Sequence, residues 1–142
     1  MKLFQRERMI RFSDCDPAGI VFFPQYFIML NGLVEDWIED ELRLGYRRLV
    51  IDRGVGLPTV HLETDFTAIS RMGDRVVLSL GVERLGSRSI TLRVTCDGTG
   101  SDAGQRRVSI KQVLVTTSQQ THQSIDIPDD LRAAIERFNE SP

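Results

Sequence analysis

From Phe27 onward, apolar residues recur at Leu30, Val34, Trp37, Ile38 and Leu42, at steps of 3, 4, 3, 1 and 4. That spacing traces one stripe along a helix. Glu35, Asp36, Glu39 and Asp40 fall mostly off the stripe. Pro24 suits the first helical position, where its missing N–H costs nothing. The helix is predicted to end before Gly45, and Gly32 within it suggests a close backbone approach. Elsewhere the period drops to two, as in half-buried strands. Strands are predicted over 5–13, 59–67, 75–85, 89–96 and 106–119. The second alternates Val60, Leu62 and Thr64 against His61, Glu63 and Asp65. The third alternates through Val76, Leu78, Leu80 and Val82, and the fourth through Ile90, Leu92, Val94 and Cys96. Turns are expected at Met72-Gly73-Asp74 and Gly86-Ser87-Arg88, with a flexible loop over 97–104. A short helix over 46–53 and a C-terminal helix behind Pro128, over 129–139, complete the pattern.

The predicted order is a strand, a long helix, then four strands in succession. Successive strands joined by tight turns favour an antiparallel sheet. The long helix must cover one face of it, so the fold class is α+β. The other face is of mixed polarity, suited to water or to a second subunit. No repeat or linker divides the chain, so residues 1–142 are read as a single domain.

Composition narrows the function classes. The 18 Lys and Arg against 20 Asp and Glu leave a net charge of −2. No bulk positive field would hold nucleic acid or an anionic membrane, although a local basic patch can still take a phosphate-bearing small molecule. Two cysteines, Cys15 and Cys96, are too few for a disulfide framework. No apolar segment reads as a leader or a membrane span, so a cytoplasmic location is expected.

The segment Asp14-Cys15-Asp16-Pro17-Ala18-Gly19-Ile20-Val21-Phe22-Phe23-Pro24 concentrates the candidate chemistry. It puts carboxylates in a tight turn beside four large apolar residues. It then enters a helix N-terminus, where unpaired N–H groups can polarise an acceptor oxygen. Carboxylate, donor and apolar pocket together make a plausible hydrolytic site. The alternative in which Asp14 and Asp16 share a divalent cation lacks an evident third ligand, and Pro17 interrupts the strand. No metal is therefore expected. A Cys15 nucleophile with His61 as base is a weaker alternative to two packed or locally bonded side chains. Ser87-Arg88-Ser89 suits a phosphate, or is simply a hairpin turn. Gly98-Thr99-Gly100 lacks the Lys-Ser/Thr ending of a phosphate loop.

The run Arg11-Phe12-Ser13-Asp14-Cys15-Asp16-Pro17-Ala18-Gly19-Ile20-Val21-Phe22-Phe23-Pro24-Gln25-Tyr26 closely resembles the signature of the Pseudomonas-type 4-hydroxybenzoyl-CoA thioesterases. The resemblance is strongest over 5–45. It continues through Gly56-Leu57-Pro58, Arg88-Ser89 and Ile125-Asp126-Ile127-Pro128. It implies a hotdog fold, a five-stranded antiparallel sheet wrapped around a long central helix. It further implies hydrolysis of an acyl-CoA, with an aromatic, benzoyl-like acyl group among the candidates. No cofactor is implied, because coenzyme A is part of the substrate. Residue by residue, Asp16 matches the catalytic carboxylate, acting as nucleophile or as base on water. The Phe23 backbone N–H matches the donor that polarises the thioester carbonyl, with Phe where the family has Tyr. Gly19 permits the turn that aims Asp16, and Asp14 is left a structural role. Phe22 and Tyr26 are candidate contacts to the acyl group. Asn31 stands where the hydroxybenzoyl branch carries an acidic residue that reads the phenol. Arg88 and Ser89 match a region that contacts the coenzyme A phosphates. The resemblance also implies a homodimer or homotetramer with sites at subunit interfaces. Two rival readings share the fold. One is a non-catalytic acyl-CoA-binding subunit. The other is a dehydratase, which would need a His–acid dyad built on His61 or His122.

Overall fold

The computed structural model describes residues 1–142. Five antiparallel strands form the main sheet: β1 (Phe4–Met9), β3 (Thr59–Phe66), β4 (Arg75–Leu85), β5 (Ser89–Gly98) and β6 (Arg106–Val115). Their spatial order is β1-β4-β5-β6-β3. One register row runs Phe4–Leu80–Val94–Ile110–Thr64 across all five strands. Because side chains alternate at period two, this row and its neighbours two residues away share a face. Leu78, Leu80, Ile90, Leu92, Val94, Cys96, Val108 and Ile110 are buried there.

Helix α1 (Gln25–Asp36) covers that face and continues as a π-helical stretch, Trp37–Glu41. Its apolar stripe is buried from Leu30 onward as the spacing predicts, with Phe27 only partly buried, and Tyr26, Met29 and Leu33 widen it. Arg43 (φ 57°) and Gly45 (φ 72°) adopt left-handed backbone and end the helix. Trp37, fully buried, meets Phe138 of α2 (Asp129–Glu140) edge to face at 5.6 Å. Truncating such a side chain typically costs about 3–5 kcal/mol. Asp129 and Asp130 complement the positive end of α2. Arg53 bonds Asp130 at 2.6 and 2.9 Å, tying the π-helical stretch Arg48–Asp52 to α2.

Several local expectations change. The first strand stops at Met9, and Phe12–Asp14 form a 3-10 turn instead. Pro24 is the helix cap rather than its first residue. The fourth strand extends to Gly98, so the flexible loop begins later. The predicted strand 106–119 breaks at Thr116, leaving β7 (Thr117–Ser118) to pair with β2 (Val55–Gly56). Gly32 has no neighbour within 4 Å of a notional Cβ, so no close backbone packing explains it. Most consequentially, β3 pairs with β6, not β4, and forms a sheet edge. Residues 67–74 must therefore cross the sheet end to reach β4.

Candidate active site

That crossing segment is what the Asp14–Phe23 turn docks against. Val21 N–H bonds Ser70 O at 3.0 Å, and Met72 N–H bonds Gly19 O at 3.0 Å. Cys15 and Val21 form a bridge that closes the turn. Inside it, Asp16 N–H bonds Ile20 O at 3.0 Å and Gly19 N–H bonds Asp16 O at 2.9 Å. Gly19 has φ 77°, a conformation that suits glycine.

The two aspartates have separate jobs. Asp14 is buried, accepts from Arg8 Nη2 with both oxygens (3.0 and 2.9 Å), and accepts the Arg11 N–H at 2.8 Å. Every strong donor around it is already engaged with it. Asp16 is half-buried, and its Oδ1 accepts the Ala18 N–H at 2.8 Å. Its other oxygen has no protein partner, so it is free to act on a substrate or a water.

The donor lies just beyond the turn. Phe22 N–H is taken by Asp14 O, and Gln25 N–H closes back onto Phe22 O at 2.8 Å. Pro24 has no N–H. Phe23, in the turn that enters the helix, precedes the intrahelical bonds and keeps an N–H with no acceptor in the chain. Beneath it lies a cavity of about 160 Å³, lined by Ile20, Val21, Phe23, Tyr26, Phe66, Ala68, Ile69 and Ser70. A carboxylate with a free oxygen, an unpaired helix-entry N–H and an apolar cavity are thus assembled by one turn. The Thioesterase-like superfamily matches residues 10–135, a span that contains all three features.

The chain belongs to that superfamily. It is 28% identical over 135 residues to the 1,4-dihydroxy-2-naphthoyl-CoA hydrolase of Synechocystis, covering 95% of this chain and 90% of the relative. It is 27% identical over 131 residues to the 4-hydroxybenzoyl-CoA thioesterase of Pseudomonas sp. strain CBS-3, covering 87% and 91%. The crystal structure of a 1,4-dihydroxy-2-naphthoyl-CoA thioesterase from Synechocystis superposes with a TM-score of 0.86 at 24% identity, over 98% of this chain and 99% of that one. The hotdog fold and the family resemblance are thereby shown.

Not every residue singled out from the thioesterase signature converges on the cavity. Tyr26 lines it, while Phe22 is exposed and packs its ring on Phe23 at 5.6 Å. Asn31 is exposed on α1, eight residues past Phe23 or about 12 Å along the axis, and does not line the cavity. Arg88 and Ser89 sit in the β4–β5 turn, at the opposite end of β4 from the crossing segment, about 33 Å away along the strand. They therefore do not join Asp16 within one chain. Arg88 instead bonds Asp126 at 2.9 Å and Ser124 at 3.2 Å. Ser89 lines an open depression on the outer sheet face with His61, Glu83, Arg84, Thr91 and Lys111.

The Cys15–His61 pairing is not formed. Burial, and then the carboxylates of Asp14, Asp16 and Asp74, push the Cys15 thiol up, away from the nucleophilic thiolate. His61 bonds Glu63 at 2.8 Å on the exposed outer face of β3. Sequence reasoning missed Phe66, Ala68, Ile69 and Ser70 as cavity residues. The available signal was the end of the alternating pattern at Thr67, which marks a chain leaving its sheet.

Proposed function

We propose that this protein is an acyl-CoA thioesterase, releasing a carboxylic acid and free coenzyme A. The observation that carries the reading is one bridged turn that holds the half-free carboxylate of Asp16 and leads, seven residues on, to the unpaired Phe23 N–H at an apolar cavity. The relatives named above act on CoA thioesters of aromatic acids, which supports an aromatic acyl group here. The thioester carbonyl would accept from Phe23 N–H, which stabilises the oxyanion as it forms. Loss of one such donor typically costs about 2.7–4 kcal/mol of transition-state stabilisation. Asp16 either adds its free oxygen to the carbonyl carbon or takes a proton from the attacking water. In the first route the C–S bond breaks, the thiolate takes a proton, and water opens the mixed anhydride to restore Asp16. Neither route needs a resident cofactor.

The site is completed by a second copy of the chain. One edge of β3 is unpaired, and Leu62 and Phe66 on its helix-facing side remain exposed. Two polar atoms near that edge, Thr64 Oγ1 of β3 and Gln112 Oε1 of the adjoining β6, are buried without partners. Pairing β3 with its symmetry mate satisfies the edge and covers the apolar residues. Antiparallel pairing turns the second copy end for end. Its Arg88-bearing end then lies on the side of the sheet that carries Asp16. Arg88 and Ser89 would thus serve the coenzyme A phosphates of a neighbour's substrate. No helix is long and apolar enough to cross a membrane.

The test is thiol release from a panel of aromatic and aliphatic acyl-CoA esters by wild-type protein and by Asp16→Asn. Hydrolysis of at least one ester, lost in the folded variant, is expected. Tight acyl-CoA binding with no turnover by the wild type would make the protein a binding subunit instead.

A further inference from the structure

The floor of the cavity beside Phe23 carries a hydrogen-bond count that does not close. Tyr26 Oη and Ser70 Oγ lie 2.9 Å apart and line the cavity together. Behind them, Arg107 Nη1 is 3.2 Å from Ser70 Oγ, 3.0 Å from Ile69 O and 3.0 Å from Asp74. A guanidinium only donates, so Ser70 accepts from it. The two hydroxyls own two protons, because burial pushes the Tyr26 phenol above its ordinary value and keeps it protonated at neutral pH. One proton lies in the bond between the two oxygens. Neither oxygen reaches a further protein acceptor. One O–H is therefore left over. Ser70 is 1% exposed and Tyr26 6%, so little of either residue meets the outer surface. The remaining wall is apolar and offers that O–H nothing.

We infer that this O–H donates to an oxygen substituent on the acyl group, and that the cavity holds a single ring or a chain of similar bulk. The volume of about 160 Å³ is close to the ~150 Å³ of an apolar cavity known to hold benzene. Arg107 itself is 2% exposed and is offset by Asp74 at 3.0 Å and Asp102 at 3.2 Å. The floor therefore presents a donor without net positive charge. It suits a neutral hydroxyl, ether or carbonyl oxygen rather than a second carboxylate. A purely hydrocarbon acyl group leaves the donor unpaired in an apolar cavity, which binding sites built around a hydrogen bond penalise strongly. This assigns reading of the acyl oxygen to the crossing segment and the first turn of α1, not to Asn31. The inference rests on the thioesterase reading for its substrate, but its donor count does not.

The first arm of the test compares kcat/KM for benzoyl-CoA with that for its three monohydroxy isomers. The wild type should prefer at least one hydroxylated isomer at least fivefold. Ser70→Ala and Tyr26→Phe should each keep a preference, because each leaves one O–H. The double variant, shown folded by thermal melting, should bring the ratio within twofold of one. The second arm is independent of hydrolysis: phenol and toluene compete for the wild-type protein in ligand-observed NMR, and phenol should win. Hydrolysis with equal rates on all four esters overturns the inference and leaves the thioesterase reading standing. No hydrolysis of any ester with phenol still preferred removes the thioesterase reading and supports the donor. Equal retention of phenol and toluene by the wild type overturns the donor whatever the variants do.

Discussion

Asp14 and Asp16 stand two residues apart, yet their neutral analogues should fail in opposite ways. Asp14→Asn keeps the shape but loses the ion pair with Arg8, whose side chain is 33% exposed against 8% for Asp14. The amide can still accept the Arg11 N–H through its oxygen. Its NH₂ then replaces Oδ1 and faces Arg8, donor against donor, so one bond from Arg8 Nη2 is lost and the other, to the oxygen shared with Arg11 N–H, loses its charge. Hydrogen bonds to charged groups contribute about 1.5–3 kcal/mol, and breaking a fully buried pair costs about 3–5 kcal/mol. The partial exposure of Arg8 screens the pair, which brings the expected loss to about 2–3 kcal/mol. For a chain of this size that is a fall in Tm of about 8–12 °C. Asp16→Asn keeps an oxygen for the Ala18 N–H, and Asp16 has no ion pair to lose. Its Tm should move by no more than about 2 °C, the usual range of a surface substitution. Its turnover should fall by about 10²–10⁴, the weight of a lost general base, or further if the carboxylate is the nucleophile. The assay pairs thermal melts with thiol release on the same preparations, the Asp14 variant being assayed well below its Tm. Loss of turnover in a fully folded Asp14→Asn, with Asp16→Asn still active, would refute the division of labour.

Three further outcomes follow from the same geometry. Leu62→Lys on the exposed edge strand should shift the protein toward monomer in light scattering and cut thioester turnover with it; an unchanged mass would sink the β3 interface. Gly19→Ala meets no atom within 4 Å, so its cost is confined to the left-handed φ of 77°, about 1–2 kcal/mol; a larger fall in turnover than in stability is expected, and equal turnover by wild type and variant would show that the turn does not aim Asp16. The Arg71 N–H first, and then Arg107, hold the Asp74 carboxyl below its ordinary value. Its stabilisation is complete above the unfolded value of about 4 and is lost as pH falls through the lowered native value. Asp74→Asn should therefore flatten the acid limb of a urea-stability profile below pH ~4, and an acid limb as steep as that of the wild type would count against the assignment.

Much of the candidate site is legible in the chain itself. A helical stripe, period-two runs and the order of elements indicate an α+β layer. An acidic turn followed by Phe-Pro encodes an unpaired N–H locally, because the first residues of a helix have no preceding carbonyl to bond and proline withholds its own donor. Left-handed Gly19 and the carboxylate beside it are local features of the same kind. What the chain alone does not reveal is non-local. The pairing of β3 with β6 leaves an edge, sends residues 67–74 across the sheet end, and brings Ser70 beneath Tyr26. The burial of Arg107 behind both follows from that crossing, which is why an arginine in an alternating strand reads as solvated until the fold is known. The separation of Arg88 from Asp16 has the same origin, since nearness in a sheet depends on which strands pair and on which end each turn lies. Local backbone chemistry thus determined the carboxylate and the donor. Only the tertiary structure decided what surrounds them, because strand order and burial arise from contacts between residues far apart in sequence.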